Sequence, residues 1–343
     1  MKKQLYIHIG TGKTGTTALQ EFFVINDKLL EEKFALKYIS NYRIDNAHHG
    51  LCINGFKGEK NLINFRLNDL HKEILKSDYK YFLISSENFP GVSEEEIKDI
   101  YYKILSKDID IHVIVYLRRQ DEYLESWYAQ VVKADTKNIN LNIHNLYKDL
   151  NKSKILNFYY LIEKWNKIIS KDNIHVKVYE KQQFYKGNIF NDFMRIFKIE
   201  DLEEFEFPKK DPNPSLTRDQ ILLIRAFVNA GLENFLDNVI KKPFSFKSNS
   251  SKYFLSPKER TELVLEYENI NKQVAQKYLN RKDGKLFYNP LPLEVEENWE
   301  DIKQPSIEYT LRALTHIIAK QKIHFAKELE LIKADIAQIK DNR

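Results

Sequence analysis

Two periodicities alternate along the first 200 residues of the chain. Four short runs are mainly apolar and predict strands, at 5–9, 79–86, 111–117 and 174–179. The intervening segments are amphipathic and predict helices, at 16–32, 93–106, 121–134, 155–169 and 191–197. Strands that are apolar on both faces are typical of a parallel sheet covered by helices on each side. The pattern therefore predicts an α/β fold.

Beyond residue 200 the pattern becomes mainly helical. Three prolines within 206–215 indicate a surface connection, and the polar segment 241–252 predicts a loop. Amphipathic segments predict further helices at 217–230 and 257–279. None of these segments repeats another, so the chain is not a repeat protein.

The C-terminal segment has a pattern of its own. Apolar residues recur every seven positions at Leu311, Ile318, Phe325, Ile332 and Ile339. The second apolar position drifts from Leu314 to Leu329 and Ile336, which indicates a long amphipathic helix rather than a strict coiled coil. Such a helix either packs on its own domain or joins a second copy of the chain. We predict an α/β domain at 1–290 and a helical tail at 291–343.

Composition narrows the class of protein. The 343 residues are 43% hydrophobic and 30% charged, which is enough for a large core and atypical of a disordered chain. The single cysteine, Cys52, excludes an intramolecular disulfide and a cluster of thiolate metal ligands. The net charge of +5 suits an anionic ligand but is not a signature of nucleic-acid binding. The sequence shows no signal peptide and no run long enough to span a membrane, so we expect a cytoplasmic protein.

The most informative segment is 6–17, where a strand enters a loop of small residues and a helix follows. Backbone N–H groups at such a turn, together with the helix dipole, form an anion-binding site. Glycines let the backbone approach the anion, a lysine adds a positive charge, and threonines add hydroxyl donors. The candidate binding residues are Gly12, Lys13, Thr14, Gly15, Thr16 and Thr17.

The loop has two interpretations. Gly12-Lys13-Thr14 is similar to the end of a P-loop for nucleoside triphosphates, but that motif needs a glycine at position 7, where the chain has Ile7. The alternative run, Lys13 to Thr17, has the lysine at the top of a shorter loop. By itself, this loop leaves kinases and other triphosphatases open.

A second motif lies about 100 residues further on. The predicted strand at 111–117 is followed by Arg118, and Ser126 lies eight residues later on the next predicted helix. A guanidinium group binds phosphate through two hydrogen bonds, and a hydroxyl group on the neighbouring helix can add a third.

Together the two motifs resemble sulfotransferases that use 3′-phosphoadenosine 5′-phosphosulfate (PAPS). Lys13-Thr14-Gly15-Thr16-Thr17 matches the family's 5′-phosphosulfate loop, Lys-(Ser/Thr)-Gly-Thr-Thr, at all five positions. Arg118 and Ser126 have the spacing of the family's 3′-phosphate ligands, although Arg119 and Gln120 stand where a proline is common. The start of the chain is most similar to bacterial members that begin His-Ile-Gly-x-x-Lys-Thr-Gly-Thr-Thr. The resemblance covers roughly residues 4–290.

The resemblance implies sulfuryl transfer from PAPS to a hydroxyl or amine, with adenosine 3′,5′-bisphosphate (PAP) as product and no metal. Lys13 would neutralise charge on the leaving phosphate. Glu87, at the end of the second predicted strand, resembles the base of relatives that sulfate polysaccharides. His48 and His49 are the other candidate bases, and the alternative roles for this pair are exposure to solvent or contact with the acceptor. The acceptor implied is a saccharide of a cell-surface polysaccharide or glycolipid, and no nucleic-acid partner is expected.

Two other functions remain open. A small-molecule or nucleoside kinase would use the same loop for ATP and would need magnesium, with an acidic residue at a strand end to hold it. Glu87 has such a position, but Arg118 and Ser126 would then have no role. A non-catalytic nucleotide-binding protein that assembles through its C-terminal helix is the third hypothesis.

Overall fold

The structure is a computed structural model of the chain. The residues described are 2–52, 60–106, 108–134, 142–208, 217–230, 253–295, 299–301 and 304–341. The loop expected at 241–252 lies outside them, as does most of the connection expected at 206–215.

One parallel sheet forms the centre of the protein. Its five strands are β1 (Lys3–Ile9), β2 (Leu36–Tyr38), β3 (Tyr81–Ser86), β4 (Ile109–Leu117) and β5 (Ile174–Val178). Their order across the sheet is β2-β3-β1-β4-β5, and every neighbouring pair is parallel. The α/β prediction is confirmed. The sequence missed β2 because three residues are too few to show a strand pattern.

Helices follow nearly every strand. They are α1 (Thr16–Ile25), α2 (Asp27–Phe34), α3 (Lys60–Lys76), α4 (Glu94–Glu96), α5 (Lys103–Leu105), α6 (Gln120–Ala134), α7 (Ile143–Lys152), α8 (Phe158–Asn166), α9 (Ile189–Met194), α10 (Arg218–Asn229), α11 (Pro257–Glu266), α12 (Glu268–Leu279), α13 (Pro292–Val295) and α14 (Ile307–Asp341). A π-helical stretch, Ile97–Tyr102, joins α4 to α5. The expected helix at 257–279 is interrupted at Tyr267, and α3 and α7 were not predicted.

The expected helix at 16–32 is two helices that meet at Asn26. The Asn26 amide donates hydrogen bonds of 2.8 Å to the carbonyl oxygens of Phe22 and Glu206. The Glu206 N–H group in turn donates to Asn26 Oδ1 at 2.9 Å. A polar side chain therefore ends α1 and fixes a distant segment of the chain at the same point.

The two faces of the sheet lie in separate hydrophobic clusters. Alternate residues of β1 divide between them, because successive side chains of a strand point to opposite faces. Leu5 and Ile7 pack under α3, α8 and the 97–105 segment, whereas Tyr6 packs with Phe22 and Phe23 of α1. Burial on both faces explains the continuous apolar runs of the central strands.

A third cluster joins the C-terminal helix to the rest of the domain. Tyr309, Ala313 and Ile317 of α14 pack with residues of α6, α7 and α10. The first three turns of α14 therefore rest on the domain, and the boundary proposed at 290 stays a prediction. Within the described parts of the chain, no helix is both long enough and apolar enough to cross a membrane.

Candidate active site

The strand order places a crevice at the carboxyl end of β1. From this strand the chain extends the sheet on one side through β3 and β2, and on the other side through β4 and β5. In open parallel sheets, ligands bind outside the carboxyl ends of the strands at such a change of direction. The loop 10–15, the residues after β3 and the residues after β4 all lie at this edge.

The loop after β1 has the geometry of an anion cradle. Gly12, Lys13 and Gly15 have left-handed backbone angles, with φ of 67°, 55° and 75°. Gly15 is the N-cap of α1, and among the described residues no side chain caps it and no acidic residue lies in the first turn. The first N–H groups of a helix lack intrahelical partners, so they are oriented to bind an anion.

Close packing requires glycine at two loop positions. A Cβ atom on Gly12 would lie 3.1 Å from the Trp127 ring, and one on Gly15 would lie 2.9 Å from Ile189 and 3.2 Å from the Tyr179 ring. Both glycines also have positive φ, which costs an L-residue energy. The residues present therefore fit a bound phosphate-type group held by backbone amides.

The threonines of the loop divide into two kinds. Thr14 and Thr16 are buried, and their hydroxyl oxygens lie 3.4 Å apart. Thr17 is exposed in the first turn of α1. The buried pair supports the turn, and Thr17 has a hydroxyl group open to a ligand.

One face of α6 runs along the loop. Glu122, Ser126 and Gln130 are spaced four residues apart and so share this face. Arg118 Nε donates to Glu122 Oε2 at 3.2 Å, and Lys13 Nζ donates to Gln130 Oε1 at 3.4 Å. The partly exposed Ser126 therefore lies between the partners of the two cations.

Arg118 also reaches the loop directly. Its Nη1 donates to the Lys13 carbonyl oxygen at 2.9 Å, and its guanidinium group lies 5.6 Å from the centre of the Tyr179 ring. The structure thus brings Arg118 and the helix face that carries Ser126 beside Lys13, which lies more than 100 residues earlier in the sequence.

Glu87 lies at the other side of the loop. A Cβ atom on Gly10 would be 3.3 Å from Glu87 Cγ, and the Gly10 N–H group bonds the Ser86 carbonyl oxygen at 3.1 Å. Gln20 Nε2 donates to Glu87 Oε2 at 3.3 Å, and His49 Nε2 lies 3.8 Å from the same oxygen. The carboxylate is therefore held beside the anion loop and stays partly exposed.

The hydrogen bonds of Ser86 indicate which ring nitrogen of His49 carries the proton. Ser86 Oγ accepts from the Asn88 N–H group at 3.1 Å and from the Cys52 thiol at 3.3 Å. Its own proton is then left for His49 Nδ1, which lies at 2.8 Å. An imidazole that accepts at Nδ1 carries its proton at Nε2, so His49 presents an N–H group toward Glu87.

His48 points the opposite way, into the protein. It is fully buried, with Nε2 at 2.8 Å from the Ile39 carbonyl oxygen and the Ser85 N–H group donating to Nδ1 at 3.1 Å. Burial lowers the pKa of His48 to about 3. Its catalytic role stays a prediction, and its position favours a structural role that ties the 39–48 segment to β3.

The burial of histidines makes the protein sensitive to acid. Burial also lowers the pKa of His8 to about 3, against an ordinary value of 6.5. Between these values the unfolded chain binds protons at His8 and His48 that the folded chain does not, so the free energy of unfolding falls as the pH falls. We expect His48→Gln to reduce the slope of the unfolding free energy against pH by the amount that corresponds to about one bound proton. Urea unfolding from pH 7 to 4 measures it, and equal slopes for both proteins would contradict the assignment.

Several residues of the site could not be predicted from the sequence. Gln20 and Gln130 bond two of the candidate catalytic side chains, Glu87 and Lys13, and the Trp127 ring packs against Gly12. An amide side chain on a helix has no distinctive pattern, so no signal could have found the glutamines. The rings of Tyr123 and Trp127 on α6 stack on each other, with their centres 6.1 Å apart.

The segments 41–70 and 240–256 are described only in part. Phe254 lines a cavity of about 440 Å³ together with Tyr128 and Arg225. Among the described residues, no group of three or more His, Cys, Asp or Glu side chains is arranged to hold a metal ion.

Fold and loop together define an α/β protein with a candidate anion site at its central strand. An uncharacterized protein of Archaeoglobus fulgidus is 26% identical over 283 residues, which covers 75% of this chain and 74% of that protein. The crystal structure of retinol dehydratase in complex with androsterone and inactive cofactor PAP is similar over 84% of this chain and 82% of that one, at 12% identity and a TM-score of 0.34. No family model matches the chain.

Proposed function

We propose that the protein is a PAPS-dependent sulfotransferase that acts on a hydroxyl or amine group of a saccharide. One observation carries the proposal: a single face of α6 connects Lys13 to Arg118, with Ser126 between their partners. A donor with one phosphate group at its 5′ position and another at its 3′ position needs two separate cationic positions in the protein. A triphosphate loop alone leaves Arg118 and Ser126 without a role.

Each residue has a defined task in this function. The α1 amides and Lys13 bind the 5′-phosphate and stabilise its charge as it leaves. Arg118 and Ser126 bind the 3′-phosphate, for which Arg118 exchanges its bond to Glu122 for one to the ligand. Bound PAPS supplies the sulfuryl group.

Glu87 is the proposed base. It takes the proton of the acceptor hydroxyl or amine as the new bond to sulfur forms and the bond from sulfur to the phosphate oxygen breaks. Gln20 and His49 hold its carboxylate in place through the contacts described above. Gln20 donates to Oε2 and the His49 ring lies near the same oxygen, which leaves the other carboxylate oxygen to accept the proton.

Thermal-shift titration separates this function from the alternatives. We expect PAP to raise the melting temperature more than adenosine 5′-monophosphate does. Arg118 and Ser126 would bind the 3′-phosphate of PAP, a group that adenosine 5′-monophosphate lacks. A ligand at 100 times its Kd stabilises a protein by about 2.7 kcal/mol. Arg118→Ala should remove the preference for PAP. Arg195→Ala, which changes a surface arginine beside Glu200, is the matched control.

Each other outcome contradicts the proposal. Stabilisation by ATP with magnesium but not by PAP would identify a kinase. Stabilisation by PAP without transfer of ³⁵S from labelled PAPS to any of a panel of hydroxyl- and amine-bearing saccharides would favour a binding protein or a different acceptor class.

A further inference from the structure

The C-terminal helix extends well past its packing site. With 35 residues, α14 is about 50 Å long. Its contribution to the buried core ends at Ile317 among the described residues. Helices in water depend mainly on the packing of an apolar face, so the part after Ile317 needs a surface to pack against.

An exposed apolar stripe runs along this helix. Its members are between 38% and 66% exposed: Leu311, Leu314, Ile318, Phe325, Leu329 and Ile332. At 100° per residue they fall within an arc of about 60°. The core-facing residues Ala313 and Ile317 lie outside this arc. A continuous exposed apolar surface of this kind marks an interaction site.

Charged residues of opposite sign border the two edges of the stripe. The helical positions of Lys322 and Lys333 place both on one edge, and Glu328 lies on the other. In a parallel pair of helices, opposite edges of the two copies face each other, and in an antiparallel pair the same edges do. Only the parallel arrangement brings Lys322 beside Glu328 of another copy, and twofold symmetry repeats that contact.

The polar side of the helix does not match a membrane surface. Helices that lie on membranes carry mainly Lys and Arg on their polar face. Here acidic residues are mixed with basic ones, as in the ion pairs Arg312–Glu308 at 2.6 Å and Lys333–Glu330 at 2.9 Å. The charge pattern therefore favours a protein partner.

We propose that the stripe of α14 pairs in parallel with the same stripe of a second copy of this chain. The contact would form a two-stranded coil along 311–332 and leave both α/β domains at the same end. This inference does not depend on the proposed function.

Measurement of mass in solution tests the contact. We expect the full chain to sediment as a dimer and Ile318→Glu/Phe325→Glu to sediment as a monomer with an unchanged melting temperature of the domain. The matched control is Ile323→Glu/Leu331→Glu, which changes two apolar residues of similar exposure outside the stripe. A monomeric parent chain, or a stripe variant that remains dimeric, would overturn the proposal.

Cysteine cross-linking tests the direction. Ile318→Cys and Leu329→Cys lie 11 residues, or about 16 Å, apart on the helix. A parallel pair aligns each position with itself, so both variants should form a disulfide dimer under mild oxidation; an antiparallel pair allows at most one. The native Cys52 is buried and provides the background. A monomer that floats with phosphatidylserine–phosphatidylcholine vesicles through the stripe would assign this surface to membranes instead.

Discussion

Replacement of Lys13 by alanine should lower kcat for sulfuryl transfer by about 10²–10³-fold, the usual cost of losing one group that stabilises charge in the transition state. The lysine lies at the top of the loop, and its ammonium group contacts Gln130 on the face of α6 that also carries Ser126. In the proposed reaction, charge grows on the phosphate oxygen as the sulfuryl group leaves, so the ammonium group acts most strongly in the transition state. Binding of PAP, measured by titration calorimetry, should change much less.

The backbone of Lys13 requires a matched control. Its φ of 55° is in the left-handed region, where any side chain adds strain, and the exposed Lys198, at the end of the short helix Arg195–Phe197, has a φ of 63°. Lys198→Ala therefore makes the same side-chain change on a similar backbone, far from the loop in sequence, and should retain the parent rate. If Lys13→Ala keeps kcat within threefold of the parent, the lysine has no part in the chemistry.

The fold followed from the sequence where local pattern and tertiary structure agree. The central strands were visible because burial on both faces makes them continuously apolar. The break between α1 and α2 could not be predicted, because the reason for an asparagine at this point is a hydrogen bond from Asn26 to Glu206, 180 residues away. A helix-compatible asparagine gives no local sign of such a contact.

The candidate site was predictable to a similar extent. The anion loop is a continuous motif whose glycines and lysine have direct physical roles. The adjacent histidines could not be told apart, because their difference arises where the short 3₁₀ turn at His49–Leu51 begins. That turn directs His48 under β3 and His49 toward Glu87. Only the distances across the sheet edge show that His48 is a buried support and that His49 lies beside the candidate base. These distances cannot be read from the sequence.

Replacement of Glu87 by glutamine should lower kcat by about 10²–10⁴-fold, the contribution expected of a general base. Glutamine keeps the shape of the side chain and its contact with Gln20, so PAP should bind as it does to the parent. Steady-state kinetics with PAPS and titration calorimetry with PAP measure the two effects separately.

Two further variants make the Glu87 result specific. Glu163→Gln is the matched control, because that carboxylate is also partly buried and accepts from a side-chain amide, that of Asn166, at 3.3 Å. It should retain the parent rate. His49→Gln should cost less than Glu87→Gln if His49 only holds the carboxylate in place. An unchanged rate in Glu87→Gln combined with a large loss in His49→Gln would make His49 the base, since His48 has both ring nitrogens bonded inside the protein.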